Sequence, residues 1–244
     1  MLHVFKNKEE ASKAAADLFV QTAQEAIARQ GRFTVALSGG SSPDTLYQLL
    51  ASPAYSSKVD WPRTFVFWSD ERWVPLTDKR SNARMTSEIL LDQVPIPPAN
   101  IYPMWNKQQK PEAFAADFEL WLRKYFGNRP PAFDLMLLGM GDDGHTASLF
   151  PGTEVLNEQT RWVQAYYLAP QQMYRVTLTA PLINKARRIV VLAFGGKKAP
   201  ALYNVLEGPY NPATYPAQLL KPVQGELIWL VDEAATIMLD EARQ

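Results

Sequence analysis

Five short, almost wholly apolar runs, Phe33 to Leu37, Phe65 to Trp68, Phe133 to Leu138, Ile189 to Phe194 and Leu227 to Val231, punctuate this chain of 244 residues. Runs of that length without polar alternation belong to strands covered on both faces, as inside a parallel sheet. Between them the apolar spacing becomes helical. Over 8–30, Ala11, Ala14, Ala15, Leu18, Phe19, Thr22, Ala26 and Ile27 share one face, and further helices are expected at Ser81 to Leu91, Pro111 to Phe126, Lys197 to Leu206 and from Glu233. Buried strands alternating with helices predict an α/β architecture, a layered and mostly parallel sheet flanked by helices in the Rossmann-like manner. Two more extended segments, Trp162 to Tyr167 and Tyr174 to Thr179, predict a small added β segment, mixed or antiparallel. The prolines of Val94-Pro95-Ile96-Pro97-Pro98 mark a loop, and no internal repeat divides the chain, so 1–244 reads as a single domain.

Composition excludes several classes of function. Lys plus Arg and Asp plus Glu number 25 each, which leaves no basic surface for nucleic acid. The aromatic residues are not interleaved with basic ones, as a base-stacking platform requires. With no cysteine, disulfides, thiolate metal sites and cysteine nucleophiles are ruled out. The two histidines, His3 and His145, offer one plausible internal metal ligand, so neither a metal nor another cofactor is expected. No apolar run spans a bilayer and Met1-Leu2-His3-Val4-Phe5-Lys6 lacks a signal-peptide pattern, so the expected location is cytoplasmic, with no membrane or nucleic-acid partner and no information on oligomeric state.

Ligands of such sheets bind at the carboxyl ends of the strands, so the segments that follow strands are where chemistry is expected. The first is Ser38-Gly39-Gly40-Ser41-Ser42-Pro43-Asp44, in which backbone N–H groups and hydroxyls can face an anion. Ser42-Pro43 reads as a cap and first-turn proline of a helix. This is a phosphate site or a tight turn without a ligand. Ser69-Asp70-Glu71-Arg72-Trp73-Val74-Pro75 is charged either for solvation or for function, and Arg80-Ser81-Asn82 returns toward the same edge. Gly139-Met140-Gly141-Asp142-Asp143-Gly144-His145 delivers a histidine flanked by acids that can orient it, the makeup of a general base. Its glycines also satisfy the dinucleotide-binding spacing, but the next extended run ends in Leu168-Ala169-Pro170 without the acid that would hold a ribose. A plain turn with a capping histidine is the remaining alternative. Gly195-Gly196-Lys197-Lys198-Ala199 opens a helix with lysines, which suits an anion between lysine and helix dipole, and Arg175 is a cation in a strand-like run, at an edge or on a ligand.

Taken together, Ala36 to Pro43, Ser69 to Pro75 with Ser81-Asn82, Gly139 to Gly152, Arg175 to Thr179 and Lys198-Ala199 resemble the 6-phosphogluconolactonase family, within the group that includes glucosamine-6-phosphate deaminase. The resemblance runs in order from about residue 36 to 200. It implies the deaminase-like version of the α/β fold and hydrolysis of 6-phospho-D-glucono-1,5-lactone to 6-phospho-D-gluconate, the second step of the oxidative pentose phosphate pathway, without metal or nucleotide. It also implies that His145 activates water and Asp143 orients it, while Ser38, Gly39, Gly40, Ser41, Arg72, Arg175 and Lys198 bind phosphate and oxyanion, with Arg72 also a catalytic candidate. Which cation serves which anion stays open, and Asp70 is a possible alternative base. In the deaminases the segment after the histidine resembles His-Ile-Ala-Phe-Asn-Glu-Pro; here Phe150 stands before the proline, which favours a lactonase over an amino-sugar phosphate deaminase or isomerase. A non-catalytic sugar-phosphate sensing domain is the other alternative, and it would need a DNA-binding module that the 32 residues before Phe33 do not offer.

Overall fold

The computed structural model describes residues 1–127 and 133–239. Among the described residues the strands are β1 (Leu2–Phe5), β2 (Phe33–Leu37), β3 (Thr64–Trp68), β4 (Asp70–Arg72), β5 (Leu135–Gly139), β6 (Val163–Leu168), β7 (Met173–Leu178), β8 (Arg188–Ala193) and β9 (Glu226–Asp232). Six of them form one all-parallel sheet in the order β1-β9-β8-β5-β2-β3. The side chains of β2 are buried throughout, as are those of β5 up to Gly139. Burial of that kind contributes on the order of 1.5–3 kcal/mol for each large aliphatic side chain, which is why the apolar runs of the sequence are the sheet.

The helices are α1 (Lys8–Gln30), α2 (Asp44–Ala51), α3 (Pro53–Ser56), α4 (Asn82–Ile89), α5 (Pro111–Phe126), α6 (Ala180–Ile183) and α7 (Ala199–Leu206). Asn7 caps α1 by accepting from the N–H of Glu10, and Gly31, in the left-handed region at φ 77°, closes it. Phe19 of α1 meets Phe33 edge to face at 5.2 Å, whereas Phe67 packs against Trp121 and Tyr125 of α5. Phe33 pairs with Thr64, three residues from Phe67, so the two rings point to opposite faces of the sheet and the two helices cover opposite sides.

Strands β4, β7 and β6 form a second, antiparallel sheet. The chain passes from the first sheet to the second at Ser69, whose N–H donates to the Leu37 carbonyl and whose carbonyl accepts from Leu178. The added β segment is thus antiparallel, and it has a third strand, β4, that the sequence does not announce. Asp70-Glu71-Arg72 carries no apolar signal; pairing with β7 makes it a strand. The edge strand β1 was equally hidden, because four residues with a histidine among them show no period.

Several boundaries differ from expectation for identifiable reasons. Helix α2 begins at Asp44 with Pro43 in the cap position and no side-chain cap, so Ser42 does not cap it. Ser81 lies outside α4 as its cap, accepting from the N–H of Arg84, and the helix stops at Ile89 ahead of a separate 3-10 turn, Leu91–Gln93. Gly196–Lys198 forms a 3-10 turn before α7, which places Lys198 at the cap of that helix. The helix expected from Glu233 is a 3-10 turn, Glu233–Thr236, within the described residues.

At the amino-terminal rim of the sheet the Asp134 carboxylate, 1% exposed, pairs with Arg29 at 2.7 Å and accepts from the N–H and hydroxyl of Thr34. Asp134→Ala is expected to lower stability in urea unfolding by about 2–3 kcal/mol, through the donors it orphans, while leaving the kinetics at the opposite rim unchanged.

Candidate active site

The loops leaving β2, β3, β5 and β8 open on one pocket of about 240 Å³, lined by Ser38, Gly39, Gly40, Ser41, Asp70, Arg72, Asn82, Gly141, His145, Phe150, Gln171, Arg175 and Lys198 among others. The convergence expected from strand order is therefore present. In this sheet β2 leads to β3 on one side while β5 leads to β8 on the other, so the crevice lies where connections part. A larger cavity of about 610 Å³ lies against α4, Trp68 and Ile101 and includes none of the candidate residues.

His145 sits in a loop wound tightly on itself. Gly141 donates to the His145 carbonyl at 2.8 Å, Gly144 to the Gly141 carbonyl at 3.0 Å, and the Thr146 hydroxyl to the Gly139 carbonyl at 2.8 Å. Gly144 adopts φ 77°, and a Cβ on Gly141 would lie 2.0 Å from His145 Nδ1 and 2.5 Å from an Asp143 oxygen, so both positions need glycine. Asp143 Oδ1 lies 2.5 Å from His145 Nδ1 and also accepts from the His145 N–H. Burial raises the Asp143 carboxyl, but the hydrogen bonds and charge of His145 outweigh it and hold that carboxyl below the ordinary carboxylate range. An ionised Asp143 can only accept, so the neutral imidazole carries its proton on Nδ1 and presents a lone pair on Nε2. Nε2 has no hydrogen-bond partner among the described residues. Phe150 stacks on the ring at 4.0 Å between centroids and 22° between planes. Asp142, which the sequence placed beside the histidine, turns instead to Lys198, 2.6 Å away.

Arg72 of β4 and Arg175 of β7 are cross-strand partners. Like charges placed directly opposite repel, a cost that a nearby anion offsets. Arg175 lies on the middle strand of its sheet and is 3% exposed, so it is a pocket residue and not an edge one. Burial and the Arg72 guanidinium push it below the usual guanidinium range, while the charge of Asp70 pulls it back. Arg72 donates from Nη1 to the Arg80 carbonyl, and Arg175 from Nη2 to the Gln171 side chain. The Nε atoms of both arginines, and the Ser38 hydroxyl, are buried without a hydrogen-bond partner among the described residues.

The Ser38 loop contributes less uniformly than expected. Ser38 N–H is taken by the Tyr47 hydroxyl, which also donates to the Ser38 carbonyl, and Lys8 holds the Ser41 carbonyl and Asp44. The N–H groups of Gly39 and Gly40 have no such partner among the described residues, with Gly40 at φ 86°, and they remain donors that could face an anion.

Three residues that shape the site are not singled out as functional by the sequence. Asn82 was visible only as part of a polar cluster. In the structure it donates to the Asp70 carbonyl at 2.9 Å and packs so closely on Gly39 that a Cβ there would lie 1.9 Å from Asn82 Oδ1. Glu71, fully buried, accepts from the N–H groups of Arg72, Asn82 and Ala83 and from the Ser81 hydroxyl, and thereby ties β4 to the start of α4. Burial pushes its carboxyl up, against those four donors. Gln171 reaches Arg175 from the turn between β6 and β7. Asp70, the alternative base, has one carboxylate oxygen engaged by the Ser148 hydroxyl at 2.6 Å and the other by the Ser69 hydroxyl at 3.3 Å and the Asn82 amide at 3.4 Å, whereas Nε2 of His145 has no such partner among the described residues. Among the described residues no group of three or more His, Asp or Glu side chains could hold a metal ion.

A family model described as glucosamine-6-phosphate isomerases/6-phosphogluconolactonase matches residues 6–229 of the chain. A 6-phosphogluconolactonase of Synechocystis sp. is 45% identical over 214 residues, 86% of each chain, and one of Nostoc sp. is 41% identical over 222 residues, 90% of each. The solved structure of the 6-phosphogluconolactonase from Trypanosoma brucei matches with a TM-score of 0.86 at 26% identity, covering 98% of both chains. A monomeric glucosamine-6-phosphate deaminase, at TM-score 0.82 and 20% identity over 96% of this chain, shares the fold.

The orphaned guanidinium N–H groups make a simple expectation: inorganic phosphate binds in this pocket, measured by titration calorimetry, and Arg175→Ala weakens it roughly tenfold or more. Unchanged affinity in that variant would place the anion elsewhere.

Proposed function

This chain belongs to the glucosamine-6-phosphate isomerase/6-phosphogluconolactonase family, and we infer that its pocket hydrolyses 6-phospho-D-glucono-1,5-lactone to 6-phospho-D-gluconate. The observation that carries the reading is an Asp-oriented histidine with a free Nε2 in the same small pocket as three cations, Arg72, Arg175 and Lys198. The named function of the 45% identical relative points the same way.

In this reading Nε2 of His145 takes a proton from water as the water oxygen bonds to the lactone carbonyl carbon. The carbonyl oxygen becomes an oxyanion and is stabilised by a cation of the pocket. Collapse of the tetrahedral intermediate breaks the bond to the ring oxygen, which takes the proton back from Nε2; the product acid then ionises. Asp143 keeps the imidazole in the tautomer this requires and stabilises it while it is protonated. Ser38, Gly39, Gly40 and Ser41, with the remaining cations, hold the phosphate. Asp70 lies beside the arginines as a charge balance and not as the base. The reading includes no metal, supported by a pocket whose charge is mostly positive and a histidine nitrogen already engaged by Asp143.

Phe150 stands against His145 where an amino-sugar phosphate deaminase would need a carboxylate for ring opening, and the deaminase likeness is one of fold. The lactonase reading is therefore preferred over the deaminase and over a sensing domain.

His145→Ala is expected to reduce kcat by about 10² to 10⁴ with a smaller change in KM, measured with lactone made in place and spontaneous hydrolysis subtracted. Asp143→Asn, which removes the carboxylate acceptor that fixes the proton on Nδ1, is expected to lower kcat by about 10- to 100-fold with a smaller change in KM. Wild-type kcat in that variant would break the link between these two residues. The cations are assigned by a second comparison: the phosphate ligand, when replaced by alanine, raises KM for the phosphorylated lactone alone, whereas the oxyanion ligand lowers kcat for phosphorylated and unphosphorylated gluconolactone alike. Activity is expected to survive exhaustive EDTA; loss restored by a divalent ion would overturn the metal-free mechanism.

A further inference from the structure

A hydrogen bond to one ring nitrogen fixes a histidine at a point and leaves its plane free to tilt about that contact. Asp143 supplies the point, 2.5 Å from Nδ1. Against the face of the imidazole lies the ring of Phe150, stacked 4.0 Å away at 22° and only 8% exposed.

Phe150 is itself on a rigid mount. Its turn is closed by Leu149 N–H donating to the Thr146 carbonyl, and the Thr153 hydroxyl donates to the Phe150 carbonyl at 2.6 Å. The neighbouring Ser148 is tied to the second sheet three ways: its hydroxyl donates to Asp70, its N–H to the Thr177 hydroxyl, and its carbonyl accepts from the Tyr166 hydroxyl. Ala147 is held at φ 48°, a conformation alanine adopts only when its surroundings impose it. The Arg175 guanidinium lies 5.6 Å from the same Phe150 ring. The ring thus stands between the base, which comes from the first sheet, and the buried arginine, which comes from the second.

We propose that Phe150 is a positioning residue for His145: its ring face sets the plane of the imidazole, and so the direction of Nε2, relative to the arginine-lined part of the pocket. A stack of two flat rings restricts tilt in a way that an aliphatic side chain of similar size does not. The benefit is kinetic, because a general base misaimed by a fraction of an ångström or some tens of degrees loses much of its effect, while substrate affinity, which depends on the anion ligands, is spared. Apolar burial alone would not require a flat surface at this position.

This rests on His145 being the base, which His145→Ala tests separately. Phe150→Leu is expected to lower kcat about tenfold with KM within about twofold of wild type, and Phe150→Tyr, which retains the ring face, to stay within about twofold in both constants. The double variant F150L/H145A is expected to match H145A within about twofold, since Phe150 acts through the histidine. If Phe150→Leu does not fold, Phe150→Met, which fills the space without a flat face, is judged by the same criteria. Wild-type kcat in the non-aromatic variant, F150Y as slow as F150L, or a further loss in the double variant would each overturn the proposal. If instead H145A itself keeps near-normal kcat, the base assignment has failed and not merely the role of Phe150.

Discussion

Everything in this molecule hangs on a parallel hydrogen-bonded ladder whose strands are all entered from the same end. Parallel strands cannot be joined by hairpins, so each connection must cross a face of the sheet and return. That requirement puts helices on both faces, buries the strands, and gathers every segment that leaves a strand on one rim. Because β2 connects toward β3 and its neighbour β5 toward β8, the departing loops separate at the middle of that rim and leave a crevice. The pocket is thus a result of topology before any of its side chains is considered.

The side chains then make that crevice suited to anions, and at an electrostatic cost. Two arginines face each other across β4 and β7, with an Nε on each left without a partner among the described residues. Such an arrangement persists because the backbone beneath it is held firmly. Glu71 gathers donors from Arg72, Ser81, Asn82 and Ala83, and Ser69 links the two sheets by hydrogen bonds to Leu37 and Leu178. Asn82 in turn wedges between Gly39 and the Asp70 carbonyl. A buried carboxylate that binds no substrate in this reading therefore shapes the part of the pocket that does.

How far the sequence could be read followed from the range of the forces involved. The runs at Phe33 and Ile189 gave themselves away because burial on both faces demands apolar residues at every position, a requirement visible in a window of six residues. The His145 loop was legible because its glycines serve a local need, room for His145 and Asp143 to close on each other. By contrast β4 is a strand only through its partner β7, and Asp142 reaches Lys198 only because the loops after β5 and β8 lie side by side. Gln171 looked like any turn residue. Nothing near it in sequence reveals that its side chain meets Arg175 across the turn.

By itself the sequence determined the class of fold, the rim on which the loops that leave the strands would meet and the residue types available there: one internal histidine, acids beside it, and cations after or within strands. Those follow from local periodicity and from the absence of cysteine, which need no knowledge of distant contacts. Only the tertiary structure decided how these groups are paired. Asp143 engages the histidine while Asp142 engages Lys198, Phe150 lies flat against the imidazole, and two arginines 103 residues apart in sequence, Arg72 and Arg175, stand opposite one another. The reason is physical: pairing among polar groups depends on direction and on separations of a few ångströms, and these are set by how the two sheets meet, a property of the folded chain that no short stretch of it contains.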